Sequence, residues 1–257
     1  MRISANTQPT EAALPESLLN LPPGQARESL LAVYAVLSEE LPKGGISIYE
    51  AGGGSTSFLP LELLDRAEVT VVDIDTEQLR NNDYAQKKVL GDVQTYRFPR
   101  GSFDLVTCYN VIEHLGNVDA ALDRFCEALK SGGLALIGAP SPRSLSGFVT
   151  RYTPHWFHVW FYRHVMGEAH AGQPGQPPFH TLFHPLVEPS RLVAYANARG
   201  MDVIYRREYE SPRYPEMRAS MPALAALLDG VAAVLNVVLA RKTDVRHGDY
   251  HVVLRKR

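Results

Sequence analysis

The sequence predicts an α/β chain organised on a doubly wound, mostly parallel sheet of seven strands. Three observations point there. From Ile46 onward short apolar runs alternate with amphipathic stretches, the rhythm of strand–helix–strand units. The segment SIYEAGGGST (47–56) puts three consecutive glycines directly behind a strand, at the sheet edge where such folds bind ligands. The chain has 257 residues, 45% of them apolar, enough to bury a substantial core in one large domain.

Ile46–Tyr49 is the first strand, and Ser55–Arg66 a helix made awkward by Pro60. Glu68–Asp73 is rich in β-branched residues and forms the second strand. Thr76–Asn82 suggests a helix, Lys88–Leu90 a short third strand and Phe103–Tyr109 a fourth. Between Asn117 and Lys130 the apolar residues Val118, Ala121, Leu122, Phe125 and Leu129 recur at helical spacing. Gly132–Gly133 closes that helix, and Leu134–Ala139 is the fifth strand. After Pro140 the rhythm breaks into an insert, 141–188, rich in Pro, His and aromatic residues. A helix at Glu188–Arg199, stopped by Gly200, leads to a strand at Asp202–Tyr209; a helical insert within 211–246 precedes the closing strand, DYHVVLRKR. Residues 1–24 read as a loose arm, Thr7 to Gly24 being rich in Pro, Ser, Thr and Asn. The whole of 1–257 is taken as a single domain, with 46–140 as its ligand-binding core.

A formal net charge of −2 supplies no basic footprint for nucleic acid. Cys108 and Cys126 are too few for a disulfide framework, and the amino terminus has no signal-like pattern. Both features point to a reducing compartment, and a cytoplasmic location is expected.

Chemistry concentrates at the strand ends. Gly52, Gly53 and Gly54 let the backbone bend and approach a ligand closely. A phosphate loop would need Gly-Lys-Ser/Thr here, and no lysine is present; a dinucleotide fingerprint would need a glycine where Ser57 stands. Glu50, just ahead of the turn, is a poor neighbour for pyrophosphate and a good one for an ammonium or sulfonium. Asp73 ends the second strand about twenty residues on, where an acid accepts from ribose hydroxyls in nucleoside-binding folds. Gly91-Asp92 follows the third strand and offers a carboxylate to an amino group such as that of adenine. Three acids around a bare turn describe a ligand with an amine, a ribose and an adenine, and without phosphate.

This set resembles the class I S-adenosylmethionine-dependent methyltransferases. The likeness rests on Glu50-x-Gly52-x-Gly54, Asp73, Gly91-Asp92, FDLVTCYNVIEHLGN (103–117) and ALKSGGLALIGAP (128–140), and covers roughly 46–140. VIEHL looks most like the branch acting on quinone precursors, sugars and other small molecules. The resemblance implies a Rossmann-like sheet whose final strand is antiparallel, and S-adenosyl-L-methionine as cofactor. It also implies roles. Glu50 with Gly52, Gly53 and Gly54 would shape the amino-acid end, Asp73 with Ile74 the ribose side, and Asp92 with Val93 the adenine. Asn110 and Val111 would pass near the methionine part. Thr56 departs from the third glycine common in the family. A nicotinamide dehydrogenase shares the fold and the acid at Asp73, and a non-catalytic binding module would keep the same pocket; both stay as alternatives.

For a hydroxyl acceptor a base is needed, and His114 is the candidate, against the reading that it merely supports the loop. Glu113 reads as a solvated residue and Cys108 as structural. The amino-methyltransferase motif of nucleic-acid enzymes and the paired-glutamate loop of protein-arginine enzymes are missing. That leaves a small-molecule, sugar or lipid-linked acceptor, with oxygen the expected atom.

HWFHVWFYRH (155–164) must be buried, cover a ligand or meet a membrane interface. Six of the nine histidines fall between His155 and His184, and the pairs His155/His158 and His180/His184 have ligand-like spacing. With no cysteine nearby, no metal is expected. MPALAALLDGVAAVLNVVLA (221–240) has membrane length, flanked by Arg218, Arg241 and Lys242. Asp229 within it and the need for both flanking strands to share one sheet reject a span. Core or dimer packing is expected, with a peripheral membrane patch the alternative.

Overall fold

The structure is a computed structural model and describes residue 21 and residues 23–173, 178–182, 184–238 and 244–257. Most of the expected arm 1–24, and Arg241 and Lys242, lie outside the described residues. The first element among the described residues is a helix the sequence reading did not assign, α1 (Gln25–Glu40). Its buried Leu30, Val33, Tyr34 and Leu37 follow i, i+3, i+4, i+7 spacing, so its amphipathic signal was legible.

The strands are β1 (Ile46–Ala51), β2 (Ala67–Asp73), β3 (Lys87–Leu90), β4 (Phe103–Tyr109), β5 (Leu129–Pro140), β6 (Met201–Tyr209) and β7 (Asp249–Lys256). They form one sheet in the order β3-β2-β1-β4-β5-β7-β6. The first five pair in parallel, and β7 runs antiparallel between β5 and β6. Strand order reverses between β1 and β4, which opens a crevice at their carboxyl ends.

Helices α2 (Leu61–Leu64), α3 (Thr76–Asn81), α4 (Val118–Ala128) and α7 (Pro189–Ala198) flank this sheet. Because both faces are covered, successive strand residues are buried: Ile48 packs with α1, α2 and α3, and Tyr49 with α4 and α7. Phe125 of α4 sets its ring 5.8 Å from that of Tyr49.

Two boundaries differ from expectation. The helix after the glycine turn does not begin at Ser55; it starts at Leu61, because Pro60 holds an extended ψ of 146° at its cap. The fourth-strand helix stops at Ala128, and β5 begins at once with Leu129, fully buried and paired with Phe103. Gly132, at φ 78°, therefore lies inside β5 and does not close the helix.

The insert after β5 contains α5 (Leu145–Tyr152) and α6 (His155–His164). Ser141 and Leu145 donate backbone hydrogen bonds to Gly248 and Val245, each at 2.7 Å, fastening its start to the approach of β7. Of the three readings of the aromatic run, burial is not found, since α6 has no buried residue. Between β6 and β7 stand α8 (Arg213–Ser220) and α9 (Pro222–Val238). Packing of α9 into the chain's own core is likewise not found: only Ala225 and Ala232 are buried. Among the described residues no helix is long and apolar enough to cross a membrane.

Candidate active site

Each functional loop begins with a backbone bond to the neighbouring strand. Gly52 N–H donates to Val72 O at 2.7 Å, Gly91 to Asp73 O at 2.9 Å, and Asn110 to Gly138 O at 2.8 Å. These bonds hold the ends of β1, β3 and β4 at one edge of the sheet. Gly52 and Gly54 adopt φ 69° and 55°, the left-handed region that glycine enters without a Cβ penalty. A Cβ on Gly52 would lie 2.5 Å from a Val111 methyl, so the glycine lets the first and fourth loops touch.

Glu50 is 4% exposed. Its carboxylate accepts from the Ser57 and Tyr84 hydroxyls. Burial pushes it up to about 7, against the two hydroxyls, which lower it. A cleft runs from Glu50 along Gly52 and Gly53 to Phe58 and Tyr109. Phe58 stacks on Tyr109 at 4.3 Å, and Tyr34 of α1 donates to the Phe58 carbonyl. Segment 55–60 thus lies along the cleft as irregular chain, in the place where a helix was expected.

Asp73 is tied directly to the glycine turn. Its Oδ2 accepts from Gly54 N–H at 3.0 Å, and its Oδ1 from Asp75 N–H at 2.8 Å. Asn82 Nδ2 donates to Gly54 O at 2.8 Å, bracing the same turn. Ile74, next to Asp73, is 75% exposed, an apolar side chain held out at the strand end. One strand further, Asp92 Oδ1 accepts from Gln94 N–H at 2.8 Å, and Val93 is buried behind it. Gln94 in turn accepts from Asn117 N–H at 2.7 Å, linking the third loop to the start of α4.

The turn after β4 carries the remaining expected residues. Asn110, at φ 54°, is the one non-glycine residue with positive φ among the described residues, a conformation asparagine tolerates better than most. A short 3-10 turn, Ile112–His114, follows. His114 Nδ1 lies 2.8 Å from His180 O, and a carbonyl only accepts, so the proton sits on Nδ1 and Nε2 keeps its lone pair. Burial lowers the His114 pKa, against the His180 carbonyl, which raises it. Glu113 is not solvated as expected. It is 4% exposed, its Oε2 has no hydrogen-bond partner among the described residues, and burial pushes it up to about 8. Its Oε1 stands 3.7 Å from His114 Nε2. Cys108 is fully buried, and burial pushes its thiol up.

The insert reaches this turn: Leu182 N–H donates to Glu113 O at 3.0 Å, and Phe179 meets the His114 ring edge-on. The histidines with ligand-like spacing make other contacts. His155 stacks on His180, His158 bonds Thr153, and His184 accepts from Leu186 N–H. Among the described residues no group of His, Cys, Asp and Glu is placed to hold a metal ion.

Residues 50–137 match the family model described as a methyltransferase domain. That interval spans the glycine turn, Asp73, Asp92 and the His114 turn, the same pieces that the backbone bonds hold at one edge. Over that interval the chain carries the domain of an S-adenosylmethionine-dependent methyltransferase. The methyltransferase is similar in fold to an S-adenosylmethionine-dependent methyltransferase from Mesorhizobium loti, with TM-score 0.54, 16% identity, and 88% of this chain and 98% of that one covered. An enzyme of the same description from Methanosarcina mazei gives TM-score 0.52 and 14% identity over 86% of this chain and 96% of that one. The cyclase SpnF gives TM-score 0.52 and 14% identity over 88% and 80%. At such identities these likenesses speak for the fold alone. No curated protein matches the chain in sequence.

The residues present fit the cofactor. Glycines leave the turn bare, a buried carboxylate stands ready for a cation, and Asp73 retains lone pairs beyond the two backbone bonds it accepts. Sequence reasoning missed Ser57, Tyr84, Asn82 and Gln94. Each is a polar side chain in a loop, and nothing in local pattern says which acid or carbonyl it will meet.

Proposed function

We propose that the methyltransferase transfers its methyl group to an oxygen of a small-molecule, sugar or lipid-linked acceptor. In this reading Glu50, Gly52, Gly53 and Gly54 receive the amino-acid end of S-adenosylmethionine. Asp73 and Ile74 take the ribose side, Asp92 and Val93 the adenine, and Asn110 and Val111 the methionine chain. The bound sulfonium supplies an activated methyl group and its own leaving group. The protein aligns the acceptor with it and excludes water.

The observation that carries the oxygen assignment is the His114 tautomer. With Nδ1–H engaged by the His180 carbonyl and burial favouring the neutral ring, Nε2 is a base at neutral pH. It takes the acceptor hydroxyl's proton as the new carbon–oxygen bond forms. Glu113, protonated through neutral pH, leaves that lone pair uncharged nearby. The free Cys108 and Cys126 suit a reducing, cytoplasmic setting.

A methyl-transfer assay over phenolic, sugar and lipid-linked hydroxyl acceptors tests this. His114→Ala is expected to lower kcat about 10²- to 10⁴-fold and to leave S-adenosylhomocysteine affinity unchanged. Product methylated at nitrogen or carbon, or full turnover by the variant, overturns the reading.

A further inference from the structure

We propose that α6 and α9 form a docking surface for an anionic lipid membrane. Helix α9 is inverted relative to an ordinary surface helix. Its one charged residue, Asp229, faces the protein and pairs with Arg218 at 3.2 Å, with Arg246 at 3.9 Å. Asn236 also turns inward, donating to Asp244 at 2.7 Å and accepting from Val245 N–H at 2.9 Å. The opposite stripe, Leu227, Val231, Val234, Val237 and Val238, is exposed and wholly apolar. Water is a costly neighbour for such a stripe, and a contiguous apolar surface of this kind marks a contact.

Helix α6 identifies the occupant. Trp156 and Trp160, one turn apart, are 68% and 48% exposed, and Phe148 and Tyr152 of α5 are exposed too, their rings 4.5 Å apart. Tryptophan and tyrosine favour the level of lipid headgroups. Residues 128–167 contain no aspartate or glutamate, while Arg143, Arg151 and Arg163 fall within them. Arg151 of α5 and Arg163 of α6 are both exposed, and Arg163 Nε donates to Ala171 O at 2.8 Å. A basic, acid-free aromatic helix complements a negatively charged leaflet, whereas a second copy of this surface would repel it. Helix α8 touches both parts: the Arg213 guanidinium lies 4.8 Å over the Tyr162 ring of α6, and α8 packs on α9.

Both tryptophans of the chain lie in α6, so tryptophan emission, excited where tyrosine does not absorb, reports on that helix alone. The full chain is titrated with phosphatidylcholine vesicles and with mixed phosphatidylcholine–phosphatidylglycerol vesicles. Binding to the mixed vesicles, with a blue shift and reversal by salt, is expected. Arg151→Ala should weaken that binding about fivefold, and Val234→Glu should weaken it further, at unchanged S-adenosylhomocysteine affinity. Equal binding to both vesicle types, no binding to either, or a concentration-dependent dimer that alone shifts the fluorescence overturns the proposal.

Discussion

Glu50 and Glu113 are both 4% exposed and stand at the ends of adjacent strands, yet their surroundings differ. Glu50 holds two hydroxyl donors and opens onto a cleft beside bare glycine backbone. Glu113 has an orphaned oxygen and a histidine for a neighbour. Burial raises both, but the donors at Glu50 restrain the rise, to about 7 as against about 8. Equal burial therefore prepares different chemistry. In the proposed function the first carboxyl meets the cofactor's cation, and the second stays protonated beside His114.

Removing each acid separates these roles. Glu50→Ala is expected to weaken S-adenosylhomocysteine binding about 10- to 100-fold, the loss of a charge-assisted hydrogen bond. Calorimetry measures it, and unchanged affinity would make Glu50 a structural acid like its neighbour. The same contact makes binding pH-dependent. Affinity should rise as Glu50 ionises, levelling above about 7, and Glu50→Gln should abolish the slope.

Glu113 is the sharper case for stability. Its folded-state pKa, about 8, lies above its ordinary 4.5, so the folded state binds the proton more tightly. Stability from this group is complete below the ordinary value and is lost as pH rises through about 8. Glu113→Gln should flatten the fall in melting temperature between about pH 5 and about 8 by several degrees. A variant with the wild-type slope would show that this carboxyl ionises freely.

The smallest effect belongs to a donor. Tyr84→Phe deletes one hydroxyl from Glu50, and about fivefold weaker cofactor binding is expected, with the affinity profile moved to higher pH. An unmoved profile would mean that Ser57 alone sets the Glu50 proton affinity.

Sequence alone determined the strands, their alternation with helices, and the places of Glu50, Asp73 and Asp92 at strand ends. Hydrophobic period and glycine's backbone freedom are local properties, and EVTVVD or EAGGG displays them without help from distant residues. The same locality made Pro60 visible as an obstacle, though not that the chain would stay extended until Leu61. Tertiary structure alone decided which acid would be solvated, which loop hydroxyls would reach Glu50, and which way α9 would face. Burial and pairing are relations between elements far apart in the chain: Glu113 is enclosed by β7 and the insert, and Asp229 turns inward because Arg246 waits there. No window of residues carries that information, because the partner that sets the energy enters only when the chain has folded.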